Sequence, residues 1–174
     1  MSLLKQYKLL GEYNQLMNQR LYEAVATLPD DKIKEDKSAF FGSLLGTLNH
    51  ILVGDIIWLS RFSTDRSSHD TLSYFITIEK PQSLNSILYS EFSELQKERE
   101  KIDRLIILWI NSLTDKDLMS TISYKNMNDS SFQKDFSSLI NHLFLHQIHH
   151  RGQATTLLSQ FGVDFGETDL IELI

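Results

Sequence analysis

Residues 142–153 of the chain read HLFLHQIHHRGQ and contain four of its six histidines. If this segment is an α-helix, residues four apart lie above one another on one face, so His142, His146 and His150 form a column of imidazoles. Two histidines at this spacing can bind one metal ion, because both side chains lean the same way along the helix. The segment therefore predicts a helix that supplies two nitrogen ligands.

A third ligand has to come from outside this segment, where the chain has only His50 and His69. His69 lies in a polar stretch that is predicted to be a loop. His50 lies in a strongly apolar stretch that is predicted to be a helix, so it is the better candidate.

Gly46 and Gly54 lie one helical turn before and one turn after His50, on the same face. Glycine costs a helix interior about 1 kcal/mol relative to alanine, so the pair predicts space that is kept free beside the imidazole. That space suits either a metal ion with its substrate or a closely packed neighbouring helix. Asp55 lies about 140° around the helix from His50, so it should not bind the same ion. We expect it to pair with Arg61 or another cation, or to accept a hydrogen bond.

Other interpretations of the histidines remain open. A single histidine in an apolar helix is more often a hydrogen-bonded core residue than a ligand, and a column of histidines can be a solvated stripe or a chance metal trap. Burial is favoured by the apolar residues around the rest of the helix, which include Leu139, Leu143, Ile148 and Leu158. Buried imidazoles need partners and cannot all be protonated, and a divalent ion meets both requirements.

Four neighbouring residues are candidates for supporting roles. Gln153 lies on the face of His150, where it could hydrogen-bond a ligand or a bound water. Arg151 points about a quarter turn away and is predicted to pair with an acid or to anchor an anionic substrate. His142 and His149 could support the ligands, exchange protons or only pack.

Composition excludes several classes of protein. The formal net charge of −6, with scattered Lys and Arg, argues against a nucleic-acid partner. The chain has no cysteine, which excludes disulfides, thiolate ligands and a thiol nucleophile of its own. Neither a signal peptide nor a membrane-spanning apolar run of about 20 residues is recognisable. We therefore expect a cytoplasmic protein that does not associate with membranes.

Apolar residues recur at spacings of three and four in four long segments, which predicts four helices. Their expected bounds are about 3–27, 43–62 with Ser43 as N-cap, 83–113, and 137–161 with Gly162 as C-cap. Between them we expect a solvated connection at 30–38, a loop with at most a short turn at 63–79, and a small hairpin or paired extended segments at 120–125 and 132–136. The tail from Val163 should fold back on the body.

These elements predict an all-α fold in which 174 residues form one domain over 1–174. Four long helices with apolar stripes favour a four-helix bundle, and metal sites in bundles are built from side chains on facing helices.

Three segments, in order along the chain, resemble the DinB-like (DinB/YfiT) four-helix metalloproteins. They are YNQLMNQRLYEAV at 13–25, LNHILVGDIIWLSRF at 48–62 and NHLFLHQIHHRGQATTLLSQFG at 141–162, followed by TDLIELI at 168–174. The resemblance implies an up-down-down-up bundle with one divalent ion bound by His50, His146 and His150. It also implies a homodimer and, for some relatives, metal-dependent transfer or isomerisation with a low-molecular-weight thiol.

Three neutral histidines leave the charge of a divalent ion undiminished and leave coordination positions open, which is typical of catalytic sites. Zinc or nickel is expected, with iron or manganese as alternatives, since imidazole suits several metals. Because the chain has no cysteine, we expect an external thiol to be activated for transfer to an electrophilic small molecule. The alternatives are a metal-dependent hydrolase and a stress-related metal-binding protein without turnover.

Overall fold

The computed structural model describes residues 2–64 and 70–174. Within these residues it contains seven α-helices, one two-stranded sheet and a C-terminal 3₁₀ turn at Leu170–Leu173. The long helices are α1 (Leu3–Val25), α3 (Leu44–Phe62), α5 (Phe92–Ser112) and α7 (Phe136–Gln160). The short helices are α2 (Asp30–Lys34), α4 (Tyr74–Thr77) and α6 (Asp115–Leu118), and the strands are β1 (Thr121–Lys125) and β2 (Ser131–Asp135).

The four long helices pack around a shared apolar core. Helix α7 packs against both α3 and α1, and α5 packs against α1 and α3. Aromatic residues form the centre of this core, where the rings of Phe62 and Trp109 stack and Phe136 packs edge-on against Phe62. The predicted all-α class is confirmed in outline, with a small sheet added. None of the helices in the described residues is both long and apolar enough to span a bilayer.

Capping residues in the sequence predicted two helix boundaries correctly. The Ser43 side chain accepts a hydrogen bond from the Gly46 amide at 3.0 Å, as expected of an N-cap. Helix α7 is followed by Gly162 with φ of 73°, the left-handed conformation that favours glycine at a helix C-terminus. The tail folds back as predicted, and Val163 and Phe165 pack against the core.

The third long helix begins later than predicted, at Phe92 instead of Ser83. The buried Asn49 of α3 explains the difference. Its Oδ1 accepts hydrogen bonds from the amides of Leu88 and Tyr89 at 2.9 and 3.0 Å, and its Nδ2 donates to the Tyr89 carbonyl at 3.0 Å. These bonds occupy backbone groups that a helix would need, so a tertiary contact holds this segment in an irregular conformation.

The connection predicted at 30–38 contains helix α2, which was missed. Pro29 precedes it in an extended conformation, and Asp30 and Asp31 lie in its first turn, where carboxylates favour a helix. Ile33 anchors the turn in the core, with only 1% of its surface exposed. One buried side chain in a charged segment gives no periodicity from which to recognise it.

The predicted hairpin is confirmed. Strands β1 and β2 pair antiparallel, with Ile122 opposite Lys134. The loop predicted at 63–79 includes helix α4, and residues 65–69, with His69, lie outside the described residues. A role for His69 therefore stays untested.

Candidate metal centre

Helices α3 and α7 bring His50, His146 and His150 together; we call these three residues the histidine cluster. Nε2 of His50 lies 3.1 Å from Nε2 of His150 and 3.2 Å from Nε2 of His146. One nitrogen from each ring falls within 4.8 Å of the other two. Two nitrogens bound tetrahedrally to zinc, at bond lengths of about 2.0–2.1 Å, are about 3.3 Å apart. The cluster is therefore compatible with a single metal ion.

Hydrogen bonds at the far side of two rings determine where their protons lie. Nδ1 of His50 is 2.9 Å from the carbonyl oxygen of Leu84, and Nδ1 of His150 is 2.7 Å from Oε1 of Gln153. Because both oxygens only accept, each Nδ1 carries the hydrogen, and each neutral ring has a lone pair on Nε2. The two Nε2 lone pairs face each other at 3.1 Å, an arrangement that a cation between them would stabilise.

Protonation is a poor source of that positive charge. Burial is the main cause that lowers the pKa of each ring in the cluster below its ordinary value. For His146 the pKa falls to about 3, because the neighbouring His150 and His50 add to the effect of burial. All three rings are therefore neutral at pH 7, the state in which imidazole binds metal.

Different neighbouring groups exclude a side chain at the two glycines beside His50. A Cβ at Gly54 would lie 2.4 Å from Cε1 of His146, so this glycine makes room for the second ring of the cluster. A Cβ at Gly46 would lie 2.0 Å from the carbonyl oxygen of Phe41. At Gly46 the close-packing interpretation is therefore correct, although the packed group is a loop and not a helix.

The Phe41 loop forms one wall of the site. The Phe41 ring stacks on the His50 imidazole, with ring centroids 3.8 Å apart. It also contacts the His150 ring edge-on, with ring centroids 5.5 Å apart. His50 is 5% exposed, whereas His146 and His150 are only partly buried. The histidine cluster is thus covered on the His50 side and only partly buried on the α7 side.

Two of the other histidines lie outside the cluster. His142 is exposed and packs edge-on against Trp58 of α3, with ring centroids 5.0 Å apart. His149 is exposed beside His150, with ring centroids 4.7 Å apart. Of the candidates for supporting roles, Gln153 is the one that hydrogen-bonds a member of the cluster.

Arg151 points away from the cluster, toward α1. Its Nη1 donates hydrogen bonds to the amide oxygens of Asn14 and Asn18, at 2.5 and 3.0 Å. No carboxylate in the described residues lies within 4.0 Å of its guanidinium group, so the predicted pairing with an acid is wrong there. The prediction that Asp55 pairs with Arg61 or another cation is confirmed, and the cation is the buried Arg99 of α5.

The sequence did not reveal the carbonyl of Leu84 or the ring of Phe41 as parts of the site. Neither residue type signals a metal site, and both reach His50 from irregular segments whose paths depend on tertiary contacts. Four cavities in the described residues, of about 210 to 970 Å³, are lined by residues other than the histidine cluster.

Comparison with known proteins identifies the family of the chain. A sequence profile of the DinB family matches residues 1–174. Protein DinB of Bacillus subtilis (strain 168) is 25% identical over 161 residues, which cover 92% of this chain and 88% of that protein. No solved structure matches the chain significantly. Because the profile spans the whole chain, the protein belongs to the DinB family.

Proposed function

We propose that the protein binds one divalent metal ion through Nε2 of His50, His146 and His150, and that it uses the ion to activate a low-molecular-weight thiol for transfer to an electrophilic small molecule. The observation that carries the metal site is the pair of Nε2 lone pairs facing each other at 3.1 Å. They are locked in place by acceptors at both Nδ1 atoms.

The residues of the chain fit the metal in charge as well as in geometry. Three neutral imidazoles leave the full charge on the ion, and the partly exposed α7 side leaves it accessible. When bound, the ion would supply Lewis acidity, which would lower the pKa of a coordinating thiol so that the thiol loses its proton to water. The Leu84 carbonyl and the Gln153 amide orient two of the rings, and such partners also increase ligand basicity. Zinc or nickel is the proposed metal, with iron or manganese as alternatives.

Metal binding without turnover is a second candidate. Phe41 covers the His50 face, and the four cavities noted above are lined by other residues. The contact of Phe41 with His50 favours a small site that binds an ion over a site with a large substrate pocket. Under this candidate the role of the protein is to bind the metal or a small ligand of the metal.

Elemental analysis tests the metal site first. The protein is purified without a nickel column and analysed for bound metals, then stripped with a chelator and titrated with Zn²⁺ and Ni²⁺. We expect one ion per chain, and no stoichiometric binding would reject the site.

Turnover is tested on metal-loaded protein with glutathione, bacillithiol and mycothiol, each offered with a chromogenic electrophile. The thiol-transfer proposal expects thioether formation that requires the metal and is lost in His146→Ala. Product release that needs metal but no thiol would instead identify a hydrolase. Tight metal binding with neither product favours the candidate without turnover.

We further propose that the whole chain is one domain, that its four long helices are arranged up-down-down-up, and that it forms a homodimer in the cytoplasm. Leu145 and Ile148 support dimerisation, because they are 63% and 38% exposed on one side of α7. Light scattering should give twice the mass of the chain, and Leu145→Glu should reduce it to one chain.

A further inference from the structure

A cleft of about 970 Å³ lies between the end of α3, the segment before α5 and the hairpin of β1 and β2. We call this space the Arg61 cleft, and the histidine cluster does not line it. Small-molecule sites in proteins usually have volumes of about 300–1,000 Å³, so the cleft is large enough for such a ligand. Its lining among the described residues includes Ile57, Arg61, Lys80, Tyr124, Met127 and Phe132.

Two aromatic rings position the guanidinium group of Arg61 at this cleft. Its Cζ lies 4.5 Å from the ring centroid of Trp58 and 4.8 Å from the ring centroid of Tyr124. The side chain is only partly buried, and no described residue accepts a hydrogen bond from it or pairs with it as an acid. Its N–H donors can therefore bind an acceptor in the cleft, and the planar group matches two oxygens of one anion.

A second cation lies beside Arg61. The Nζ of Lys80 donates to the Phe75 carbonyl at 2.6 Å, and the Ser60 hydroxyl donates to the same oxygen at 3.1 Å. The ammonium group is therefore held next to Ser60, the residue that precedes Arg61 in α3. Burial is the main cause that lowers the pKa of both Arg61 and Lys80, so both charges are partly withdrawn from water.

The charges of the lining favour an anion. Lys125 is paired with Asp129 at 2.8 Å, whereas Arg61 and Lys80 have no carboxylate partner among the described residues. No Asp or Glu in the described part of the chain lines the cleft. Residues 65–69, which lie outside that part, include one Asp and one Arg and add no formal net charge. An anion in the cleft would accept charge-assisted hydrogen bonds from Arg61.

The apolar part of the lining distinguishes between kinds of anion. The rings of Phe132 and Tyr124 stack with centroids 5.6 Å apart, and Phe132 and Met127 are still 39% and 48% exposed. An inorganic oxyanion has no apolar surface to set against these side chains, whereas the ring of an aromatic acid can pack on them. The net charge of −6 argues against a polyanion such as a nucleic acid.

We propose that the Arg61 cleft binds a small aromatic acid. The anionic group of the ligand accepts hydrogen bonds from the guanidinium group of Arg61, with the charge of Lys80 nearby, and its ring lies against Phe132 and Met127. None of these residues belongs to the histidine cluster, so binding requires no metal ion and does not rest on the proposed metal-dependent function.

Isothermal titration calorimetry of the full chain tests the proposal. The protein is stripped of metal with a chelator and dialysed, so that an anion bound to a metal ion cannot contribute. The probes are sodium benzoate, neutral benzamide, sodium acetate and sodium phosphate, at matched ionic strength. One benzoate per chain should bind saturably. Benzamide, which has nearly the same shape without the charge, should bind at least about tenfold more weakly, and acetate should bind more weakly because it buries less apolar surface.

Three results of this titration would overturn the proposal. The first is that benzoate does not bind saturably. The second is that benzamide binds as tightly as benzoate, since the cations would then play no part. The third is that phosphate binds as tightly as benzoate, since the site would then be a general oxyanion site.

Three variants and two matched controls locate the binding. Arg61→Gln removes the charged donor and should weaken benzoate binding by about tenfold or more. Lys80→Gln removes the second charge and should weaken it by about two- to fivefold, and Phe132→Ser removes an aromatic contact and should weaken it by about two- to tenfold. Arg104→Gln at an exposed position of α5 and Phe40→Ser, where the ring is 82% exposed, should leave binding unchanged.

If Arg61→Gln fails to fold by circular dichroism, Lys80→Gln and Phe132→Ser decide the outcome. Wild-type affinity in both of these variants would then reject the cleft as the binding site. Affinity that is unchanged in folded Arg61→Gln, or that falls equally in Arg104→Gln, would also reject it.

Discussion

Helix α3 contains two buried polar side chains, His50 and Asp55, which lie five residues apart and face groups of different charge. Asp55 faces Arg99 of α5, and Arg99 also pairs with Asp103 at 2.9 Å; these three residues form the ion-pair cluster. His50 instead faces the lone pairs of two other imidazoles in the histidine cluster. The ion-pair cluster has its opposite charges inside the protein, whereas the histidine cluster lacks a positive charge. The first arrangement belongs to the folded structure itself, and the second points to a bound ion.

The largest expected effect is the loss of metal binding when a residue of the histidine cluster is replaced. His146→Ala removes one of three ligands and should abolish stoichiometric metal binding, while the helical structure persists because the apolar core is untouched. Elemental analysis and calorimetric unfolding measure the two parts. His142→Ala is the matched control, since that ring lies on the same helix but packs on Trp58, outside the cluster. If the metal-free His146→Ala protein is unfolded at room temperature, the ion is structural and the comparison fails.

A substitution in the ion-pair cluster should reduce the free energy of unfolding, in contrast to a substitution in the histidine cluster. Asp55→Ala leaves the Arg99 guanidinium, which is 1% exposed, with one carboxylate instead of two. Removing one partner of a buried ion pair costs about 3–5 kcal/mol of the free energy of unfolding, and denaturant titration at neutral pH measures it. Glu91→Ala breaks the exposed pair with Lys34 and should cost less than about 1 kcal/mol. Equal costs for the two variants would show that burial of the pair is not decisive.

A third test concerns the space beside the histidine cluster. Gly54→Ala would place a methyl group 2.4 Å from Cε1 of His146, so the ring has to move. We expect a loss of about 1–3 kcal/mol in the free energy of unfolding and weaker Zn²⁺ binding. Gly152→Ala is the control, because its Cβ meets nothing within 4 Å and alanine should stabilise the helix by about 0.5–1 kcal/mol. Equal effects would mean that Gly54 is not there to accommodate the ring.

These contrasts also explain which features could be predicted from the sequence. The N-cap at Ser43, the C-terminal glycine at Gly162 and the spacing of His146 and His150 act within one or two helical turns. Such signals appear directly in the order of residues. The convergence of His50 with the α7 pair spans about a hundred residues. His50 was selected because the chain has few other histidines, and the resemblance to a known family singled out His146 and His150 among the histidines of α7.

Features that depend on contacts between distant residues could not be predicted from the sequence. The start of α5 was misplaced because Asn49 holds the backbone of residues 88–89 from another helix. The partner of Asp55 could not be chosen among cations, because the nearest one in sequence, Arg61, lies over the Trp58 ring instead. The same irregular segment before α5 supplies the Leu84 carbonyl to His50, so the error in the fold concealed part of the site.

A smaller effect is expected at Gln153. Its Oε1 accepts the hydrogen bond from Nδ1 of His150 at 2.7 Å, which keeps the lone pair on Nε2. Gln153→Leu should weaken Zn²⁺ binding by about 10–100-fold without abolishing it, as for other residues that orient metal-binding histidines. Gln160→Leu at the exposed end of α7 is the control. Competition with a chelator of known affinity gives the two constants, and identical constants would show that Gln153 does not orient the ring.

The smallest expected effect is on the pH dependence of stability of the metal-free protein. The pKa of His146 is lowered to about 3 in the folded chain, while in the unfolded chain it is near 6.5. As the pH falls through 6.5, the unfolded chain therefore takes up a proton at this position and the folded chain does not, so the free energy of unfolding decreases. His146→Ala lacks this proton and should lose less stability than the wild type between about pH 7 and pH 6. Denaturant titrations in chelator measure both slopes. Equal slopes would mean that the ring is protonated in the folded protein, and the proton would then supply the positive charge that the metal proposal assigns to an ion.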